Sequence, residues 1–109
     1  MTDQYKICKQ LKDAGFLTRD CSFILYENGE IRFTLPNGDI VNPTGEAGYV
    51  ELPTLDELME ECGEGIDVLE RSRGGWHTDN GEMDNEKYIE TVAKTRWEAV
   101  AKLYLKLNA

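Results

Sequence analysis

The Asn28-Gly29 pair constrains this chain more than any other feature. It stands between two runs rich in apolar and aromatic residues, Ser22–Glu27 and Glu30–Leu35. Asn-Gly between such runs is the strongest short-range signal for an antiparallel hairpin, because both central residues of a type I′ turn need φ > 0. A two-residue loop sets Tyr26 opposite Ile31, Ile24 opposite Phe33 and Ser22 opposite Leu35 on the core face. Phe23, Leu25, Arg32 and Thr34 then take the other face. Pro36-Asn37-Gly38 marks a second turn, followed by a short strand at Asp39–Val41 and a loop over Asn42–Gly48. Tyr49–Leu52 reads as a further short strand. Segment 22–52 is thus expected to be a meander of three or four antiparallel strands, one face of which helix must cover.

Helical periodicity supplies that cover. Tyr5, Ile7, Cys8, Leu11 and Ala14 make an apolar stripe over Asp3–Ala14, with Thr2 or Asp3 as cap and Gly15 as stop. Thr54-Leu55-Asp56-Glu57 is a capping box, and Leu55, Leu58, Met59 and Cys62 follow it in a short helix that Gly63 ends. Ile89, Val92, Ala93, Trp97, Val100, Ala101, Tyr104 and Leu107 keep helical spacing over Asn85–Leu107, with Asp84 as cap. At ~1.5 Å per residue that helix is about 34 Å long. Between the last two helices, a strand is expected within Asp67–Arg73 and a short extended piece at Trp76–Thr78, with a polar loop over Asp79–Glu86. The fold class is therefore α+β: an antiparallel β-meander of three to four or more strands packed against an N-terminal helix, a short central helix and a long C-terminal helix. A chain of 109 residues is expected to form a single domain, 1–109.

Charge narrows the partners. The net charge is −9 and is concentrated in residues 27–84, where fifteen acids face three arginines, while both flanks are mildly basic. Such a field repels phosphates and anionic lipid, so no direct nucleic-acid binding is expected, and a basic host protein is the partner it favours. No apolar run approaches the ~20 residues that span a membrane. No secretory signal opens the chain, and Cys8, Cys21 and Cys62 form no C-x-x-C pair, which suits a cytoplasmic protein. Cys8 and Cys62 read as small buried hydrophobes.

No catalytic motif is present: no P-loop, no G-x-G-x-x-G, no H-E-x-x-H and no G-x-S-x-G. One histidine cannot build a multi-histidine metal site. Asp79, Glu82 and Asp84 lack the ligand ladder of a calcium loop and read as a solvated acidic turn. No catalytic residue, metal or cofactor is therefore assigned. Two candidate surfaces remain. Glu57, Glu60, Glu61 and Glu64 fall on one side of the central helix as an acidic stripe. Arg71, Arg73, Trp76 and His77 bring arginine, tryptophan and the only histidine together around Gly74-Gly75, and Arg and Trp are the types most enriched at binding hot spots.

Three stretches, Leu11–Phe16, Leu52–Gly63 and Ala99–Asn108, in that order resemble a family of small uncharacterised proteins found in phages, prophages and their bacterial hosts. The resemblance implies a mobile-element origin and brings no activity, cofactor or catalytic residue with it. The expected function is that of a non-enzymatic accessory protein acting by protein–protein interaction. A small-molecule binder or minor enzyme using the Arg71–His77 tract is the alternative, and a structural subunit that forms a homo-oligomer is a third.

Overall fold

The computed structural model describes residues 2–16, 22–45, 48–82 and 86–108. It holds three helices and two three-stranded antiparallel sheets, the α+β class expected. The chain falls into two compact units, Met1–Pro53 and Thr54–Ala109.

The first unit opens with α1 (Asp3–Asp13), whose N-terminus is capped by the Thr2 hydroxyl accepting from the Tyr5 N–H at 3.1 Å. Its C-terminus closes in a Schellman motif. Phe16 N–H donates to Leu11 O and Gly15 N–H to Lys12 O, with Gly15 at φ 89°. Phe16 is buried as a result, together with Tyr5, Ile7, Cys8 and Leu11. The sheet contains β1 (Phe23–Tyr26), β2 (Ile31–Phe33) and β3 (Tyr49–Glu51) in the order β2-β1-β3. β1 is therefore central, and Ile24, Leu25 and Tyr26 are all buried. The third strand does not extend a meander past β2 but returns to the free edge of β1.

The hairpin forms where Asn28-Gly29 places it, in a register one residue away from the expected one. Phe23 pairs with Phe33, Ile24 with Arg32 and Leu25 with Ile31. The loop has three residues, Glu27-Asn28-Gly29. Gly29 N–H donates to Tyr26 O at 2.9 Å and Tyr26 N–H to Glu30 O at 2.8 Å, and Gly29 sits at φ 96°. This is a type I turn followed by a left-handed glycine, which accepts Asn-Gly as readily as a type I′ turn does. The slip exchanges the two faces, so Phe23, Leu25, Ile31 and Phe33 share one side. Leu35-Pro36-Asn37-Gly38-Asp39 repeats the same turn: Gly38 N–H donates to Leu35 O and Leu35 N–H to Asp39 O, both at 2.8 Å. In each turn the asparagine Oδ1 accepts the backbone N–H two residues on, from Glu30 and from Asp39, at 3.0 Å. The strand expected at Asp39–Val41 amounts to one bridge, Thr34 to Ile40.

The second unit begins with α2 (Leu55–Cys62), entered through the full Thr54/Glu57 capping box. A 3-10 turn over Gly63–Gly65 follows. Then comes a true meander of β4 (Val68–Ser72), β5 (Gly75–Asp79) and β6 (Glu90–Ala93), in the order β4-β5-β6. The final helix, α3 (Arg96–Leu107), is shorter than the expected Asn85–Leu107. Its true cap is Thr95, whose hydroxyl accepts from Glu98 N–H at 3.1 Å. Residues 90–93 pair with β5 instead, and the strand turns Val92 outward, 56% exposed. The proposed cap Asp84 lies outside the described residues, as does Cys21. Among the described residues no helix is long and apolar enough to cross a membrane.

One close fit and one helix cap make sharp tests of the second unit. A Cβ on Gly75 would run into the Ala93 carbonyl oxygen. Gly75→Ala is expected to lower unfolding free energy by on the order of 2 kcal/mol, and Thr95→Ala by about 1 kcal/mol, both measured by urea denaturation.

Candidate functional site

The Arg71–His77 tract is a hairpin. A two-residue turn, Arg73-Gly74, joins β4 to β5, and Gly74 supplies φ 72°. Arg71 pairs with Trp76 and Glu70 with His77. Neighbouring strand residues point to opposite faces, so Arg71 and Trp76 share one side and His77 takes the other. The four candidate residues are thus divided rather than gathered on one surface. Trp76 is half-buried and carries the Arg96 guanidinium 5.0 Å from its ring centroid, a cation–π contact that ties the hairpin to the first turn of α3. Gly75 is the point of close approach to β6.

His77 stands at the centre of a different cluster. Its Nδ1 lies 3.4 Å from Glu70 Oε1; its Nε2 lies 3.2 Å from Glu90 Oε2 and 3.5 Å from Asp79 Oδ2. The strand geometry brings these groups together: Glu70 is opposite His77, Asp79 is two residues on along β5, and Glu90 is opposite Asp79. Tyr88 completes the cluster, its hydroxyl donating to Glu90 Oε2 at 3.0 Å. Asp79 is almost fully buried, and its second oxygen, Oδ1, accepts from Gly81 N–H at 2.8 Å. The ring therefore has a carboxylate oxygen within reach of each of its nitrogens. Among the described residues no group of three or more His, Cys, Asp or Glu is arranged to hold a metal ion.

The acidic stripe is likewise divided by role. Glu57 belongs to the helix cap: its Oε1 accepts from the Thr54 N–H at 3.1 Å. Glu60 and Glu61 are exposed on α2, whereas Glu64, expected on the same helix face, lies past the helix end in the 3-10 turn over Gly63–Gly65 and is also exposed. Glu61 also acts on its neighbours. Burial first, and the Glu61 charge second, push the Cys62 thiol up to about 11. Burial, then Glu61 and Cys62, also raise Tyr104 above the usual phenol range. Cys62 is thus a neutral thiol at physiological pH, an inert small side chain rather than a nucleophile.

A surface absent from the sequence-level candidates lies in the first unit. Ile31, Phe33, Leu35 and Val41 are 44%, 57%, 48% and 39% exposed. They form a continuous apolar row: the Phe33 ring lies 4.7 Å from Phe23 on one side, and Val41 N–H donates to Phe33 O on the other. The signal for it was the alternation Ile31-Arg32-Phe33-Thr34-Leu35, which the expected register had turned towards the core. A hollow lined by Cys8, Leu11, Lys12, Phe16, Glu51 and Pro53 encloses about 20 Å³, room for a single water. No protein-family profile, no curated protein and no solved structure matches the chain.

Two measurements check the histidine cluster. His77→Ala leaves Glu70, Asp79 and Glu90 facing one another with Asp79 buried, and is expected to cost about 2 kcal/mol in urea denaturation. Burial, and then the hydrogen bond to Glu90, push the Tyr88 phenol up to about 12. The folded chain therefore holds this proton more tightly than the unfolded chain, whose phenol titrates near 10. The resulting stabilisation is complete below pH 10 and lost as pH rises through 12. Ultraviolet titration should show one fewer late-ionising tyrosine in Tyr88→Phe than in the unsubstituted chain.

Proposed function

We propose that this chain is a non-enzymatic interaction protein, of the accessory kind carried by phages and prophages, that works in the bacterial cytoplasm by docking on a host protein. The apolar row Ile31, Phe33, Leu35 and Val41 carries the reading. Large side chains exposed in one contiguous row on a small domain mark an interaction site. The adjoining turns carry Glu27, Glu30 and Asp39, all exposed. A partner with an apolar centre and a basic rim complements that surface. Glu60 and Glu61 on α2, and Glu64 in the 3-10 turn that follows it, are exposed acids of the second unit. The mobile-element setting rests on the likeness of Leu11–Phe16, Leu52–Gly63 and Ala99–Asn108 to small phage and prophage proteins. The small-molecule alternative has weaker support, because Arg71 and Trp76 face away from His77.

Phe33→Glu tests the proposal without touching the core. The tagged chain and the variant are compared side by side in capture from bacterial lysate at moderate salt. A partner retained by the chain and lost, at least tenfold, by a variant with unchanged circular dichroism is the expected result. Equal capture by both removes the apolar row from the function. A homo-oligomer that Phe33→Glu dissociates places a second copy on this face instead. Changing Glu60, Glu61 and Glu64 together to Gln should weaken capture and flatten its salt dependence. Glu57 is left in place because it caps α2.

A further inference from the structure

The second unit has an open edge. Among the described residues β6 pairs only with β5, so its far side is a sheet boundary there. Asn80 N–H donates to Ile89 O at 3.1 Å, which fixes the phase of the ladder. Ile89, Thr91 and Ala93 turn their backbone groups towards β5, whereas Glu90 and Val92 turn theirs outward. Lys106 Nζ donates to the outward Glu90 carbonyl at 3.1 Å. Beside this edge runs a groove of about 460 Å³ between β6 and α3, lined by Glu90, Thr91, Val92, Lys102, Leu105 and Lys106. Lys102 and Lys106 are four residues apart and therefore share one side of α3. Val92 stands on the opposite face of the strand from Thr91, exposed to solvent.

We infer that the β6 edge and its groove take an extended acidic segment of a partner protein as a fourth strand, with its carboxylates set against Lys102 and Lys106. An open edge is satisfied by an extended backbone, and this mode draws affinity from main-chain hydrogen bonds and specificity from alternate side chains. The charges choose the segment. Alternate side chains of the added strand face α3, where the two lysines stand, and the others lie beside Val92. An acid–apolar alternation matches both sides. Lys102 is held by Glu98 at 3.0 Å and Lys106 by the Glu90 carbonyl. An incoming N–H replaces Lys106 on that carbonyl and frees its ammonium for the ligand carboxylate. A second copy would bring the same two lysines to the same edge, like charge against like. This inference rests on the reading of the chain as an interaction protein but uses a different unit and surface, so each can fail alone.

The test is a nuclear magnetic resonance titration of the full chain with Ac-Glu-Val-Glu-Val-Glu-Val-Glu-amide. The controls are the same peptide with Lys for Glu and a version N-methylated at alternate amides. Shifts centred on the amides of Glu90 and Val92 are expected, with no response to either control. Lys102→Glu and Lys106→Glu should each weaken binding about tenfold while the spectrum of the fold is kept, the scale of a single close charge pair. No shift at Glu90 and Val92 with millimolar peptide overturns the inference. So does binding that survives both charge reversals, or equal binding of the N-methylated peptide. Sedimentation showing a dimer that Val92→Lys dissociates assigns the edge to a second copy and also overturns it.

Discussion

The second unit depends on how closely α3 lies against β5 and β6. Ala99, Val100, Ala101 and Leu103 are fully buried, and the small side chains among them let the helix backbone approach the sheet. At that distance the sheet can offer only polar groups that are already satisfied. The Thr91 hydroxyl donates to Ala99 O at 2.7 Å, and the Thr78 hydroxyl to Val68 O at 2.6 Å. Residue 75 has no room for a side chain, because a Cβ there would run into the Ala93 carbonyl of β6. With one face of the sheet filled by α3, polar side chains collect on the other, where Glu70, Asp79 and Glu90 surround the His77 ring. Among the described residues no strand pairs with the far side of β6, because α3 covers the face of the sheet and not its edge.

The parts of the fold that could be read in the sequence are those governed by local rules. Thr54-x-x-Glu57 and Gly15 specified helix ends through backbone hydrogen bonds that need no distant partner. Thr95-x-x-Glu98 carries the same signal, but it was masked by an apolar stripe in which Ile89, Val92 and Ala93 suit a helix and a strand equally. Pairing with β5 decides that segment, and pairing is a non-local property. The hairpin register failed for a related reason. Ile24, Leu25 and Tyr26 are all apolar, so either register buries a reasonable set, and the choice falls to the turn. Asn28-Gly29 serves both turn types, and the hydrogen bond from Tyr26 N–H to Glu30 O selects the longer one.

The candidate site was less legible. Composition singled out Arg71, Arg73, Trp76 and His77 because unusual residues lie close in sequence. In a strand, closeness in sequence separates neighbours: Trp76 and His77 point to opposite faces. The groups that meet His77 come from β4, β5 and β6 and from Tyr88. Recognising them requires the register of three strands, one of which reads as helix by periodicity. Glu57 shows the converse. It joined the acidic stripe by spacing, yet its carboxylate is occupied by the helix cap.

Of the three Asn-Gly pairs in the chain, Asn28-Gly29 and Asn37-Gly38 sit in matching turns that bear on its chemical ageing. An asparagine before glycine loses ammonia when the glycine nitrogen closes on the side-chain amide carbon, giving a cyclic imide that water opens to aspartate or isoaspartate. In both turns that nitrogen is engaged, Gly29 with Tyr26 O and Gly38 with Leu35 O, and the asparagine oxygen is tied to the N–H two residues on. Ring closure must wait until these bonds open. The hydrogen bonds that define each hairpin turn therefore also act as a brake on its covalent decay, and the slow appearance of isoaspartate at either position counts how often that turn lets go.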